Sequence, residues 1–199
     1  MGRTFRLSRV VRGKSHQSSL LFALLSAIGA LCGGGCAAGS LGHSQAGTLA
    51  RGREEGAVVD HVVDGDTLDV WLGSRDVRVR TLQIDAPESS TLRFGHADRC
   101  GAPAKEYAKT LVHRGSVVTL ELAGSERYDS YGRLLALVHL GGPRAVTWQQ
   151  RVVSAGWAEV FVYGENRTWL LGTLQSDQAY ARSHRLGVYA RCRGEFHEA

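Results

Sequence analysis

Carboxylates and arginines with the chemistry to act on a phosphodiester are grouped in three short segments of the chain. They are Asp64 and Asp66, then Arg80, Asp85 and Glu88, and finally Asp129 and Arg133. Carboxylate oxygens bind hard cations such as Ca²⁺ or Mg²⁺, and a guanidinium group holds phosphate through two parallel hydrogen bonds. Together with a base that activates water, these are the groups that phosphodiester hydrolysis needs. Residue types alone favour a structural explanation, because Asp-Gly is a common turn and surface Arg–Asp pairs are frequent.

The elements that must position these residues are short strands interrupted by helices. Hydrophobic alternation predicts strands at 57–63, 67–72, 75–84, 116–122, 133–140 and 159–163. Helical spacing predicts helices at 102–113, 145–155 and 168–185. Strict alternation leaves one strand face for packing and the other for polar groups. Because the elements do not alternate as regular βαβ units, they predict a small barrel with attached helices.

The order and spacing of the three segments are more specific than any one of them. The segments read Asp64-Gly-Asp-Thr67, Val79-Arg80-Thr-Leu-Gln-Ile-Asp85-Ala-Pro-Glu88 and Asp129-Ser-Tyr-Gly-Arg133. In this order they closely resemble the signature segments of the staphylococcal nuclease (thermonuclease) family. The resemblance continues through residues 149–158 and 186–189 and covers about residues 58–192.

This resemblance implies a fold and an activity. The implied fold is mainly β with helices (α+β): a five-stranded oligonucleotide/oligosaccharide-binding barrel (OB-fold) with three α-helices. The implied activity is that of a Ca²⁺-dependent endonuclease that hydrolyses phosphodiester bonds of DNA and RNA to 3′-phosphate products. Single-stranded or locally melted nucleic acid is the expected substrate, and a monomer without an obligate protein partner is the expected form.

The resemblance also implies which residues bind the cation and act as the base. Asp66 and Asp85 match the carboxylate ligands of the cation. Ala86 stands where the family usually has Thr, whose backbone carbonyl is a ligand, and an Ala retains that carbonyl. Glu88 matches the general base, which takes a proton from a water near the cation.

The remaining matches concern the phosphate and its surroundings. Arg80 and Arg133 match the two arginines that hold the scissile phosphate, and Arg133 is the one expected to help the leaving 5′-oxygen. Asp64 matches a carboxylate that supports the cation ligands without binding the cation itself, and Asp129 and Tyr131 are also expected to support the site. Two alternatives stay open: a catalytically inactive barrel that only binds nucleic acid, and a nuclease that uses another divalent ion. The presence of the whole set of residues favours catalysis.

The first 38 residues have the pattern of an export signal. Five basic residues and no acidic one precede 13 uncharged residues that end at Cys32, and a small-residue segment follows. This run is shorter than the roughly 18 to 20 residues that cross a bilayer, which favours a cleaved signal over a membrane anchor. Lipidation of Cys32 or Cys36 is the alternative. Residues 39–56 are predicted to be a flexible linker and residues 57–195 the nuclease domain, located outside the cell or in the bacterial envelope or periplasm.

The net charge of +5 belongs to the signal and not to the domain. Five of the 24 Lys and Arg residues precede Ser40, so from Leu41 onward 19 basic residues balance 19 acidic ones. With 43% hydrophobic residues the chain is neither disordered, nor collagen-like, nor a multi-pass membrane protein. Binding of nucleic acid is therefore expected to depend on Arg80, Arg133 and a bound cation.

Cys100 and Cys192 are the two cysteines beyond the signal. They are far apart in the sequence, and no Cys-x-x-Cys or His/Cys cluster indicates a metal site. The oxidising compartment that an export signal implies favours a disulfide between them. Two buried free thiols are the alternative.

Overall fold

The structure is a computed structural model that describes residues 51–91, 95 and 97–197. The predicted export signal, Cys32, Cys36 and most of the predicted linker lie outside the described residues. Within the described ranges, no helix is long and apolar enough to cross a membrane.

Most strands of the described chain form one closed barrel. The strands are β1 (Arg53–Asp64), β2 (Thr67–Leu72), β3 (Arg75–Thr81), β4 (Ile84–Asp85), β5 (Val117–Leu122), β6 (Leu134–His139) and β7 (Glu159–Val160). Five of them close the barrel in the order β1-β2-β3-β6-β5. Only β3 and β6 are parallel among these described pairs. β4 and β7 form a separate antiparallel pair. The predicted five-stranded barrel is confirmed.

Three helices accompany the barrel, as the sequence predicts, and a shorter one follows them. They are α1 (Gly101–Leu111), α2 (Trp148–Ser154), α3 (Leu171–Ser183) and the four-residue α4 (Val188–Arg191). α1 contacts β1, and α2 contacts β6, α1 and α3. α2 begins at a capping box, in which Thr147 and Gln150 each accept a hydrogen bond from the backbone amide of the other.

β1 begins earlier than the hydrophobic alternation predicts. Arg53 pairs with Leu122 and Gly56 pairs with Thr119 on β5, so residues 53–56 of the predicted linker belong to the barrel. Three of these four residues are charged and the fourth is glycine, which conceals the strand from a hydrophobic pattern. Strand pairing depends on backbone hydrogen bonds, which any non-proline residue can form.

The single strand predicted at 75–84 is wrong, because the chain bends within it. β3 ends at Thr81, and Gln83 adopts a left-handed conformation with a φ of 66° before β4 begins. The buried Gln83 side chain accepts a hydrogen bond from the Thr168 hydroxyl. The backbone carbonyl of Gln83 accepts one from the Phe161 amide at 3.0 Å. These bonds stabilise a conformation that is uncommon for a residue other than glycine. The bend takes Asp85 out of β3 and pairs it with β7.

Two hydrophobic clusters hold the elements together. The larger contains the fully buried Trp148, whose Nε1 donates to the Gly65 carbonyl at 2.9 Å and so connects α2 to the β1–β2 turn. The smaller contains Phe196 and the disulfide between Cys100 and Cys192. This is the pairing that the sequence predicts, and it joins the residue before α1 to the residue after α4.

Candidate active site

A cleft of about 450 Å³ is lined by six of the predicted site residues, among them the supporting Asp129 and Tyr131. Arg80 lies near the end of β3, Asp85 in β4, Glu88 in the segment after β4, and Arg133 directly before β6. Parallel pairing of β3 with β6 brings the two arginines to the same cleft, since Arg80 lies opposite Leu135. Residues that are distant in the sequence are therefore combined in one cavity.

The Arg80 guanidinium bridges the two predicted cation ligands. Its Nη2 lies 2.6 Å from Asp85 Oδ1 and 3.0 Å from Asp66 Oδ2. Its Nη1 donates to the carbonyl groups of Thr81 at 3.1 Å and Ile84 at 2.7 Å. Two carboxylates that contact the same nitrogen are close enough to share one cation, and here Arg80 supplies the positive charge.

The pKa values of these two carboxylates shift in opposite directions. Burial raises the pKa of Asp66, and the neighbouring Asp85 adds to this effect while Arg80 opposes it. Burial acts in the same direction on Asp85, but the hydrogen bond from His197 and the charge of Arg80 outweigh it and lower the pKa of Asp85. One carboxylate thus resists ionisation beside another that is ionised, so the pair would gain from additional positive charge.

The donor groups at this position fit a hard divalent cation. Asp66 is oriented by the Thr67 hydroxyl at 2.8 Å and by the Ala86 amide at 2.9 Å. The β1–β2 turn is close to Ala86, because a Cβ on Gly65 would lie 2.6 Å from the Ala86 Cβ. Carboxylate and backbone carbonyl oxygens are the ligands that Ca²⁺ takes, and the predicted ligand set is of this kind.

Glu88 is half-buried, and its backbone is held from two sides. Asp98 Oδ2 accepts the Glu88 amide at 2.7 Å, and the Asp98 amide donates back to the Glu88 carbonyl at 2.8 Å. Asp64 Oδ2 accepts the next amide, that of Ser89, at 3.1 Å. Gly101 permits this packing, since a Cβ there would lie 2.0 Å from the Glu88 carbonyl oxygen. Asp64, predicted as a supporting residue, therefore holds the segment that carries Glu88.

Arg133 is oriented by Asp129 and lies beside Tyr131. Asp129 Oδ2 accepts Arg133 Nε at 2.6 Å, and Oδ1 accepts the backbone amides of Tyr131 and Arg133, both at 2.9 Å. Burial tends to raise the pKa of Asp129, but these hydrogen bonds outweigh it and lower the pKa. The Tyr131 ring centre is 5.4 Å from the guanidinium carbon. Within the described residues Nη1 and Nη2 of Arg133 form no hydrogen bond, which makes them the atoms suited to bind phosphate.

His197 and Asp98 line the cleft, although no sequence pattern singles them out. His197 Nε2 lies 3.1 Å from Asp85 Oδ2, and its Nδ1 lies 3.0 Å from Asp98 Oδ2. The hydrogen bond to Asp85 raises the pKa of His197 to about 9, with a contribution from Asp98 and against the effect of burial. His197 follows the last helix, outside the three matching segments, so only the tertiary structure brings it to the cleft.

Exposed aromatic side chains border the same cleft. Tyr131, Phe161 and Tyr163 line it and are 68%, 48% and 61% exposed. Phe161 and Tyr163 follow β7, which pairs with the strand that carries Asp85. Exposed rings beside a guanidinium group that could bind phosphate are suited to stack on unpaired nucleobases.

Another group of acidic and histidine side chains is structural. Glu54, Glu121 and His139 approach one another closely enough to hold a metal ion. However, the buried Glu121 carboxylate already accepts the Gly52 amide at 2.9 Å and Trp169 Nε1 at 2.8 Å, and it lies 2.8 Å from His139 Nε2. Both oxygens are satisfied, and no member of the group lines the cleft.

Comparisons with known proteins agree with this geometry. A family model described as staphylococcal nuclease homologue matches residues 78–191, more than half of the chain. The SPbeta prophage-derived endonuclease YokF of Bacillus subtilis (strain 168) is 32% identical over 133 residues, which are 67% of this chain and 43% of that protein. The endonuclease YncB of the same organism is 30% identical over 133 residues, 67% of this chain and 61% of that protein. Micrococcal nuclease of Shigella flexneri is 37% identical over 81 residues, 41% of this chain and 40% of that protein.

The matched region covers much of the site, although Asp64 and Asp66 precede it and His197 follows it. The chain spans between 40% and 61% of the length of these relatives. Residues 78–191 include Arg80, Asp85, Glu88 and Arg133, the end of β3, strands β5 and β6, and all the helices. On its sequence match and its five-stranded barrel with three helices, the chain belongs to the staphylococcal nuclease family.

Proposed function

We propose that this chain is an endonuclease that hydrolyses phosphodiester bonds of DNA and RNA with Ca²⁺ and leaves 3′-phosphate products. One observation carries the proposal: Arg80, which lines the cleft with Asp85, Glu88 and Arg133, also contacts the buried Asp66. A cation site, a base and a phosphate-binding group are the components that this hydrolysis needs. Relatives named as endonucleases support the same class of reaction.

Asp66, Asp85 and the Ala86 carbonyl are the proposed ligands of Ca²⁺. When bound, the cation supplies positive charge against the scissile phosphate. The two carboxylates then no longer depend on Arg80 for their neutralisation. Arg80, whose terminal nitrogens now contact these carboxylates and two backbone carbonyls, can donate to a phosphate oxygen instead.

Glu88 is the proposed base that removes a proton from the attacking water. A carboxylate is a weak base at neutral pH, so proton removal alone supplies only part of the acceleration. Its position is well determined, because Asp98 and Asp64 hold the backbone at Glu88 and at the following residue. Electrostatic stabilisation by the cation and the arginines supplies most of the remaining acceleration.

Arg133 is proposed to stabilise the phosphate and the leaving 5′-oxygen. Asp129 holds its Nε at 2.6 Å, so that the planar group is oriented before substrate arrives. Nη1 and Nη2 can then donate to two oxygens without further reorganisation. A preorganised donor of this kind contributes about 10²- to 10³-fold in rate.

Single-stranded or locally melted nucleic acid is the proposed substrate. Tyr131, Phe161 and Tyr163 present exposed rings at the cleft, and a ring can stack only on a base that is not enclosed in a duplex. Stacking tolerates all bases, which agrees with cleavage without base specificity. We propose that the active form is a monomer.

We also propose that the protein acts outside the cytoplasm, either secreted or in the bacterial envelope. The Cys100–Cys192 disulfide supports an oxidising compartment. The export-signal pattern of residues 1–38 supports the same location. Any attachment to a membrane would be through a lipid on Cys32 or Cys36.

Digestion of single-stranded DNA and RNA by the purified protein tests the function. Cleavage is expected with Ca²⁺, lost with excess chelator, and reduced about 10²-fold or more in Glu88→Gln. Glu106→Gln is the matched control, because Glu106 is exposed on α1 and pairs with Lys109. The products should block extension by a polymerase until a phosphatase removes the 3′-phosphate.

Each alternative has its own outcome in this experiment. Cleavage that persists with chelator contradicts a dependence on Ca²⁺. Cleavage with another divalent ion, but not with Ca²⁺, identifies a nuclease with a different cofactor. Binding of nucleic acid without cleavage under any of these conditions identifies a binding module.

A further inference from the structure

The last described residues of the chain fold back onto the cleft. The C-terminal segment, residues 193–197, follows α4 and the disulfide. The Glu195 amide donates to the Cys192 carbonyl at 2.9 Å, and the buried Phe196 ring packs edge-on against Tyr189 at 5.4 Å. Phe196 shares a hydrophobic cluster with the disulfide. The residue that follows, His197, is thereby held at the cleft.

His197 connects two parts of the active site. Its Nε2 lies 3.1 Å from Asp85 Oδ2, and its Nδ1 lies 3.0 Å from Asp98 Oδ2. Both ring nitrogens face carboxylate oxygens, so both donate hydrogen bonds. Asp98 Oδ2 is also the atom that accepts the Glu88 amide at 2.7 Å. The ring therefore connects a proposed cation ligand to the residue that holds the proposed base.

We propose that His197 is a positioning residue of the active centre, held by the disulfide and Phe196, that orients the Asp85 carboxylate for the cation. The inference rests on the proposed function, because it assigns Asp85 to the cation. With His197 on Oδ2, the other oxygen of Asp85 faces Arg80, the group that also contacts Asp66. A hydrogen bond behind a ligating carboxylate fixes its orientation, and removal of such a bond typically costs about 10- to 100-fold in metal affinity or activity.

Calcium binding measured by calorimetry in the absence of nucleic acid tests this role. His197→Ala should raise the Kd for Ca²⁺ about 10-fold. At saturating Ca²⁺ it should lower kcat, while KM for single-stranded DNA changes less than about two-fold, because the ring acts through Asp85 and not on the substrate. His197→Gln, which retains an N–H donor, should recover part of the affinity.

His184→Ala is the matched control for the loss of a histidine. His184 follows α3, is exposed, and interacts with Tyr180 and Ser183. Its removal should change neither the Kd for Ca²⁺ nor kcat. Melting temperatures of all variants verify that they are folded, and His197→Gln provides the comparison if His197→Ala is not.

The possible results separate this inference from the proposed function. An unchanged Kd and kcat in His197→Ala overturns the inference and leaves the nuclease function intact. Tighter binding of Ca²⁺ also overturns it, because it would mean that the ring competes with the cation. A wild-type protein that binds Ca²⁺ with the expected dependence on His197 but cleaves nothing supports the inference and overturns the proposed function. A wild-type protein that neither binds Ca²⁺ nor cleaves overturns both.

The part played by the disulfide is tested by combining variants. If the disulfide acts by holding His197, the double variant Cys100→Ser/Cys192→Ser should also raise the Kd for Ca²⁺. Its effect and that of His197→Ala should then be less than additive. Phe196→Ala, which loosens the same segment with the disulfide intact, should behave in the same way and replaces the double variant if that does not fold. If the losses of Ca²⁺ affinity are additive, the proposal that the disulfide and Phe196 hold His197 in place is overturned.

Discussion

Arg80 and Asp85 are in direct contact, although the family resemblance assigns one to the phosphate and the other to the cation. Arg80 Nη2 lies 2.6 Å from Asp85 Oδ1, and the same nitrogen contacts Asp66 Oδ2 at 3.0 Å. One guanidinium thus balances two carboxylates, and burial raises the pKa of one of them, Asp66. The free energy of unfolding and the affinity for a cation must therefore both depend on how these two carboxylates are neutralised.

Arg80→Ala should destabilise the protein mainly when no divalent cation is bound. Among the described residues, removal of Arg80 leaves the buried Asp66 without an ionic partner beside Asp85, which keeps only His197, and we expect this to cost about 3 kcal/mol in the free energy of unfolding with chelator present. Added Ca²⁺ should restore stability by a larger increment than in the wild type, because it replaces the missing charge. Denaturant unfolding with chelator and with Ca²⁺ measures both quantities.

Arg78→Ala is the control for this experiment. Arg78 pairs with Asp69 through two hydrogen bonds of 2.7 Å between β2 and β3, and it does not line the cleft. Its loss should cost less than about 1 kcal/mol, equally with and without Ca²⁺. If the loss of stability in Arg80→Ala is also the same with and without Ca²⁺, the proposal that Arg80 neutralises both Asp66 and Asp85 is wrong.

Arg133→Lys should lose most of the proposed nuclease activity and fold normally. Lysine keeps the charge but has no planar fork, so it cannot bind Asp129 through Nε and still present two donors to phosphate. We expect kcat to fall about 10²-fold or more. Arg114→Lys, at an exposed arginine that pairs with Asp60, should retain wild-type turnover. Near-normal kcat in Arg133→Lys would remove Arg133 from the proposed reaction.

Glu121→Gln should lower stability at neutral pH and flatten its dependence on acid. Burial tends to raise the pKa of Glu121, but hydrogen bonds from His139, Trp169 and the Gly52 amide outweigh it and place the pKa below its ordinary value of 4.5. The stabilisation from this carboxylate is therefore present above its unfolded-state pKa and lost as the pH falls through the lower folded-state pKa.

Unfolding measured between about pH 7 and pH 3 verifies this prediction. We expect the variant to lose about 3 kcal/mol near pH 7, because an amide cannot satisfy the same buried donors. The difference from the wild type should shrink as the pH falls below about 4.5. A difference that stays constant over this range would mean that the charge of Glu121 does not contribute.

Salt should weaken binding of single-stranded DNA only modestly. Arg80 and Arg133 are the arginines among the cleft-lining residues of the described chain, and from Leu41 onward the basic and acidic residues balance at 19 each. Two phosphate contacts predict a slope of about −1.4 in a plot of log affinity against log salt concentration. Binding by Glu88→Gln at constant Ca²⁺ measures it. A slope steeper than about −4 would indicate an extended basic surface instead.

Much of the site could be predicted from the sequence, because its main residues lie in short local segments. Asp64 and Asp66 fall in the turn between two strands that hydrophobic alternation reveals, and Arg80, Asp85 and Glu88 fall within or directly after the predicted strand at 75–84. Such positions come together when a sheet closes into a barrel. The break at Gln83 could not be predicted in this way, since its left-handed conformation depends on hydrogen bonds with remote residues.

The amino-acid order alone specifies the kinds of chemical group at the site, the approximate positions of most strands and helices, and the cysteines available for pairing. Which groups touch depends on the tertiary structure. Contacts of Arg80 with both carboxylates, and of His197 with Asp85 and Asp98, join parts of the chain that no local pattern relates. Periodicity records which face of a strand or helix is buried, whereas contacts between distant residues arise only when those faces pack together.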